Sequence, residues 1–224
     1  MADAKKILLV EGETDTGIFE EICKNLSLGT TVLVAPPKVL GGTHNSKEGV
    51  KNLLKTLLPQ LEDGQISHIA AVVDADYGQH GGGYLRTLAS LAEIVGCSGF
   101  VLEENNPTKC GLCFKNSDGL ADFGLWIMPN NQQEGMLEDW IKSCVSETEQ
   151  ALFQQAIQAV HQIATPKFKP HLYSKAEVAT WLAWQKEPGH GLYYLITESL
   201  LNRQHHLFVE LEQWLIKVFA DLPE

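Results

Sequence analysis

Carboxylate side chains follow two apolar segments of the sequence, and their types and spacing are typical of a divalent-metal site. Residues 69–73 are small and β-branched, and Asp74 and Asp76 follow them directly; a similar run near the N-terminus ends in Glu11, with Asp15 beyond it. If both runs are parallel strands of one sheet, their carboxyl ends meet at the edge where α/β sheets bind ligands. Carboxylates gathered there need raised pKa values or a neutralising cation, so the pattern predicts a bound metal.

Paired carboxylates of this kind support phosphodiester chemistry. They hold one or two Mg²⁺ or Mn²⁺ ions, which activate the attacking oxygen and stabilise the leaving oxygen. Asp74 and Asp76 are two residues apart, so in a regular strand both point to the same side and can bind one ion. Asp15 lies one helical turn beyond Glu11 and is positioned for a second ion. The alternative is structural, with Asp15 capping a helix and Asp76 opening a turn.

The segments around these acids predict an α/β fold. Strand-like and helical patterns alternate to about residue 130, which favours right-handed crossovers and a mainly parallel sheet. Only helical patterns occur after that point. We therefore expect residues 1–130 to form a Rossmann-like α/β domain and residues 131–224 to form a helical extension packed on it. The segment 103–122 is irregular and polar, as in a hairpin or a surface insertion.

Composition narrows the class of protein. The 224 residues are 44% hydrophobic and 20% charged, as in a globular protein with a sizeable core. The absence of a long apolar stretch predicts a cytoplasmic protein without a membrane partner. Five scattered cysteines indicate reduced thiols. The net charge of −11 opposes non-specific nucleic-acid binding, so a nucleic-acid substrate must meet a local basic face or a metal.

The two acidic motifs resemble those of Toprim domains. A Val-Glu-Gly sequence around Glu11 after the first strand, with Asp74-x-Asp76 after the third, is the pattern of topoisomerases, bacterial primases and overcoming-lysogenisation-defect (OLD) nucleases. Residues 9–15, Leu-Val-Glu-Gly-Glu-Thr-Asp, are similar to the small Toprim-like proteins of the DUF3226 family. The resemblance covers most of the chain and implies that Glu11 acts as a general acid or base as well as a metal ligand.

The helical tail adds two candidates through the same resemblance. Residues 135–139, Gly-Met-Leu-Glu-Asp, and the later Lys175 are similar to the tail of the nuclease relatives. This implies Glu138 as a further metal ligand and Lys175 as a catalytic residue that stabilises the charged transition state. Glu134 and Asp139 compete with Glu138 for the ligand role, and a solvated lysine in the first turn of a helix is the alternative for Lys175.

These features together predict a metal-dependent Toprim-type phosphodiester hydrolase, a nuclease or nuclease-like protein that acts on DNA or RNA. The alternative is a non-catalytic metal- or nucleotide-binding module of a larger complex, because nuclease relatives often carry or recruit an ATPase and this chain has no ATPase motif. A third possibility, a phosphoacceptor receiver, requires a lysine after the fifth strand, where this sequence has Pro129. Enzymatic activity, substrate and oligomeric state are left open by the sequence.

Two weaker motifs point to other ligands. Cys110 and Cys113 have the spacing of zinc ligands, but no second pair accompanies them, so a turn is the alternative. The glycines at 41–42 and 81–83 are candidates for phosphate binding at a helix N-terminus. Neither matches a Walker A or dinucleotide motif, which favours flexible turns.

Overall fold

A six-stranded sheet lies at the centre of the computed structural model, which describes residues 4–35, 46–103 and 111–220. The strands are β1 (Lys5–Val10), β2 (Thr30–Val34), β3 (Ile66–Asp74), β4 (Phe100–Leu102), β5 (Leu112–Asn116) and β6 (Phe123–Met128). Their order is β2-β1-β3-β6-β5-β4, and β1, β2, β3 and β6 run parallel. The predicted α/β fold with a mainly parallel, Rossmann-like sheet is therefore confirmed.

The sheet departs from the predicted pattern at one edge. β5 lies in the segment that the sequence left as a hairpin or an insertion, and it pairs antiparallel with both β4 and β6. Its buried part is only Leu112, Cys113 and Phe114, with Lys115 exposed beside them. An apolar run this short carries no clear periodicity, so only pairing with β6 makes the segment a strand.

Helices cover both faces of the sheet. They are α1 (Glu13–Asn25), α2 (Lys47–Leu57), α3 (Pro59–Glu62), α4 (Tyr84–Gly96), α5 (Leu137–Cys144), α6 (Gln150–His161), α7 (Tyr173–Ala183), α8 (Tyr194–Thr197) and α9 (His206–Phe219). Each longer helix presents an apolar stripe; α1, for example, buries Ile18, Phe19, Ile22 and Cys23. In the described ranges, none of the helices has the length and apolar character needed to cross a bilayer.

The alternation of side chains along the strands creates two separate cores. In β1, Leu8 and Val10 face one core, and Ile7 and Leu9 face the other. The first core joins the sheet to α1 and to the C-terminal helices, and the second joins it to α2 and α4. Trp126 of β6 contacts Trp214 of α9 with ring centroids 5.6 Å apart, and both are buried. The C-terminal helices thus complete the apolar face of the sheet.

Candidate functional site

Glu11 lies at the carboxyl end of β1, directly beside the end of β3. The two strands are parallel neighbours, as the sequence predicts, and Glu11 Oε1 accepts a hydrogen bond of 2.9 Å from the Asp74 N–H. Burial raises the pKa of Glu11 to about 7, against the attraction of Lys47 and with added repulsion from Asp76 and Asp15. At neutral pH the Glu11 carboxyl group is therefore protonated in part of the molecules and ionised in the rest.

Asp74 ends β3 and faces the first helix of the C-terminal extension. Its Oδ1 accepts a hydrogen bond of 2.8 Å from the N–H of Leu137, the first residue of α5. The positive end of the helix dipole favours a carboxylate there. Burial nevertheless raises the pKa of Asp74 well above its ordinary value, and repulsion from Glu11, Glu138 and Asp15 adds to the effect. The negative charge on Asp74 is thus only partly compensated.

Asp76 points away from Asp74, which corrects the expectation that both share one side of a strand. β3 ends at Asp74, and Asp76 has a φ of +59°, so strand alternation no longer applies. Asp76 Oδ2 forms an ion pair of 2.5 Å with Lys47 of α2, on the second core face. Asp74 instead contacts α5 on the first face. The two carboxylates therefore contact different elements, Asp74 the start of α5 and Asp76 a lysine of α2.

Asp15 has the structural role considered for it at the start of α1, and it lies within electrostatic reach of the acids on the strand ends. It is the third residue of α1, and its Oδ2 accepts a hydrogen bond of 3.0 Å from the Gly12 N–H, which fixes the start of the helix. Burial raises the pKa of Asp15; Lys175 lowers it and Glu138 raises it further. Asp15 therefore interacts electrostatically with the acids on the strand ends. Glu11, Asp15, Asp74 and Glu138 are called the acidic group below.

Glu138 and Lys175 enter this group from the helical extension. Lys175 Nζ of α7 lies 2.8 Å from Glu138 Oε1 of α5, and the Glu138 side chain is only 7% exposed. Glu138 Oε2 is buried and has no hydrogen-bond partner in the part of the chain that the structure describes. Burial acts to lower the pKa of Lys175, but attraction by Glu138, Asp74 and Asp15 outweighs it and raises the value. Lys175 is therefore the cation that Glu138 contacts directly, and it also attracts Asp74 and Asp15.

The two competitors of Glu138 are engaged elsewhere. Asp139 Oδ2 accepts hydrogen bonds from the Met136 N–H and the Tyr77 hydroxyl, and Oδ1 accepts one from the Ser174 hydroxyl. These contacts tie α5 to the loop after β3 and to α7. Glu134 packs against Gly78, where a Cβ atom would lie 2.6 Å from its Oε1. Of the three acids, Glu138 is the one that pairs with Lys175.

The chemistry of the acidic group fits a hard divalent cation, although its present geometry does not form a complete ligand set. Within residues 4–35, 46–103 and 111–220, no three His, Cys, Asp or Glu side chains are arranged to hold an ion. All the available donors are carboxylate oxygens, which Mg²⁺ and Mn²⁺ prefer, and the orphaned Glu138 Oε2 is one of them. Side-chain rotation at Glu11, Asp74 and Glu138 is needed to complete such a site.

Lys47 is a residue of this edge that the sequence did not single out. Besides its ion pair with Asp76, its Nζ donates a hydrogen bond of 2.6 Å to the Asp74 carbonyl oxygen. A lysine in the first turn of α2 carries no sequence signal of its own, because its partners lie 27 and 29 positions further along the chain. Packing of α2 against the sheet brings them together.

The structure adds little support for the cysteine and glycine motifs as ligand sites. Cys110 and the glycines at 41–42 lie outside the described residues. Cys113 is buried, and burial, followed by repulsion from Asp122, raises its pKa to about 11. The described cysteines are free thiols. The glycines at 81–83 border the loop after β3, where Gly81 has a φ of +87°.

The fold and this edge together define the class as an α/β protein whose parallel strands end in a half-buried group of carboxylates. The chain belongs to the family described as a protein of unknown function, DUF3226, whose model matches residues 5–220. The likeness to that family predicted from residues 9–15 is thereby confirmed. No curated protein and no solved structure matches the chain.

Proposed function

We propose that this protein is a Mg²⁺- or Mn²⁺-dependent phosphodiesterase of the Toprim type, a nuclease acting on DNA or RNA. One observation carries the proposal: Glu11 and Asp74 lie side by side and half-buried, burial raises the pKa of both, and neither forms an ion pair within the described residues. Ionising both is costly unless a cation binds between them. Carboxylates kept in this state are the groups that a divalent ion would stabilise most.

Under this proposal, the residues of this edge would bind the metal ion, transfer a proton or stabilise negative charge on the phosphate. Glu11, Asp74 and Glu138 would hold the ion, which supplies activation of the attacking water and stabilisation of the leaving oxygen. Glu11, with a pKa of about 7, suits proton transfer at neutral pH. The Leu137 N–H orients Asp74. Lys175, released from Glu138, would place its ammonium group near the phosphate oxygens.

The test compares cleavage by neutral isosteres. Purified full-length protein is incubated with supercoiled plasmid, single-stranded DNA and single-stranded RNA, in Mn²⁺, in Mg²⁺ or in EDTA. Wild-type cleavage should require the metal, and Glu11→Gln and Asp74→Asn should each lower the rate by about 100-fold or more. Glu13→Gln is the matched control, because Glu13 is an exposed acid at the start of α1, two residues after Glu11. Cleavage in EDTA, or equal rates in all four proteins, overturns the proposal.

A second candidate function is a non-catalytic metal- or nucleotide-binding module that works with a protein partner such as an ATPase. Two ion pairs favour it: Lys47 already neutralises Asp76, and Lys175 neutralises Glu138. The group of acids is therefore partly compensated without any metal. Calorimetric binding of Mn²⁺ that Asp74→Asn abolishes, together with an absence of cleavage on every substrate, would select this candidate over the nuclease.

A further inference from the structure

A basic cavity of about 690 Å³ lies beside the acidic edge, which is the edge of the sheet that carries Glu11, Asp74 and Asp76. Its lining contains four lysine or arginine side chains and one carboxylate, that of Asp76. The basic residues of the lining are Lys47, Lys51, Arg86 and Lys169, with His80 and His171 beside them. The lining thus carries a net charge of +3 at neutral pH in a chain of net charge −11. This contrast marks the cavity as a binding surface for anions.

Three separate parts of the chain build the cavity. Lys47 and Lys51 lie one turn apart on α2, Arg86 lies on α4, and Lys169 precedes α7. The rings of His80 and His171 have centroids 4.6 Å apart, which closes the gap between the loop after β3 and the C-terminal extension. The cavity therefore exists only because the extension packs on the sheet.

Two of the four cations of the cavity lack an acidic partner among the described residues. Lys47 is paired with Asp76, and Lys51 lies 3.7 Å from the Glu48 carboxylate on the same helix. Arg86 and Lys169 are exposed, and their side chains form no hydrogen bond or ion pair with another described residue. His171 Nδ1 is buried and likewise has no hydrogen-bond partner. Like charges held together without counter-charges repel one another, so an anionic ligand would relieve the repulsion.

We propose that this cavity binds the backbone phosphates of a nucleic-acid strand and leads that strand to the acidic edge. The inference rests on the proposed function for its substrate class. Lys47 connects the two places, because its Nζ contacts both the Asp76 carboxylate and the Asp74 carbonyl oxygen. Arg86 and Lys169 supply phosphate contacts further from the reacting bond. A local basic cavity also explains how a protein with a net negative charge could bind a polyanion.

The experiment measures binding without cleavage. Fluorescence anisotropy of a labelled single-stranded oligonucleotide is recorded in EDTA with the full chain, at several salt concentrations. Arg86→Ala/Lys169→Ala should weaken binding about 10-fold or more and reduce the slope of log K against log salt by about 1.4, or 0.7 for each lost phosphate contact. The matched control, Lys5→Ala/Lys24→Ala, removes two exposed lysines, one at the first residue of β1 and one in the last turn of α1. It should bind like the wild type.

Two further measurements test whether the cavity recognises the backbone phosphates of a strand or free phosphate. A methylphosphonate strand of the same sequence, which lacks backbone charge, should bind at least 10-fold more weakly than the natural strand. Inorganic triphosphate should displace the strand only at a much higher phosphate concentration. Equal binding by the wild type and Arg86→Ala/Lys169→Ala, or displacement at matched phosphate concentration, overturns the inference.

The inference and the proposed function fail in different ways. Metal-dependent cleavage that Asp74→Asn abolishes, with strand binding unaffected by Arg86→Ala/Lys169→Ala, removes the cavity assignment and leaves the nuclease. Strand binding that depends on the cavity, with no cleavage in any metal, removes the nuclease and leaves the cavity as a nucleic-acid site.

Discussion

The substitution Glu11→Gln should stabilise the metal-free protein, although it removes a residue proposed to be essential. The pKa of Glu11 is raised from 4.5 to about 7, mainly by burial. Each pH unit between these values corresponds to about 1.4 kcal/mol, so charging Glu11 costs up to about 3 kcal/mol at pH 8. Because the folded value is the higher one, this cost is small below pH 4.5 and grows as the pH rises towards 7. At pH 5 it is under about 1 kcal/mol.

Urea unfolding in EDTA measures this effect. Glutamine keeps an oxygen that can accept the Asp74 N–H, and it is neutral at every pH, so the variant avoids the cost of charging residue 11. We expect the variant to gain about 2–3 kcal/mol in free energy of unfolding at pH 8 and under about 1 kcal/mol at pH 5. Its neutral side chain also removes one repulsion that raises the pKa of Asp74. In Mn²⁺ the order should reverse, because the wild type gains binding energy that the variant lacks.

Glu13→Gln is the control for these measurements as well. Glu13 is exposed at the start of α1, so its neutralisation should change the free energy of unfolding by less than about 0.5 kcal/mol at either pH. If Glu11→Gln destabilises the protein equally at pH 5 and pH 8, burial does not make ionisation of the Glu11 carboxyl group costly. The reasoning for a cation site at this edge is then refuted.

Three further substitutions test the surroundings of the site by urea unfolding at pH 7.5. Lys175→Met should cost about 2 kcal/mol, because it leaves the buried Glu138 carboxylate unpaired while Lys175 itself is partly exposed, and adding Glu138→Gln should restore most of the loss. Gly124→Ala should cost about 1–3 kcal/mol, because its Cβ would lie 2.7 Å from a side-chain carbon of α9. Asn131→Ala should cost about 1–3 kcal/mol by removing the 2.7 Å hydrogen bond that its Oδ1 accepts from the buried Ile127 N–H. A change below about 0.5 kcal/mol in any of them contradicts the contact on which it rests.

The strands that carry Glu11 and Asp74 were predictable because local patterns specify them. A short run of small and β-branched residues buries both faces of a parallel strand, and the first polar residue after it marks the carboxyl end. The regular alternation of strands and helices then restricts the sheet to a mainly parallel order. β5 escaped prediction because its buried run is three residues long and becomes a strand only through pairing with β6.

The sequence by itself determined the parallel strands and the helices around them, the acids at the strand ends and membership of the family, since these depend on periodicity and on short motifs. Only the tertiary structure decided which acids share a side. The left-handed backbone of Asp76 directs it to Lys47, and packing of α5 and α7 brings Glu138 and Lys175 to Asp74. The basic cavity has the same origin, because its cations come from segments far apart in the chain. Contacts of this kind depend on how helices pack across a sheet, which no local pattern encodes.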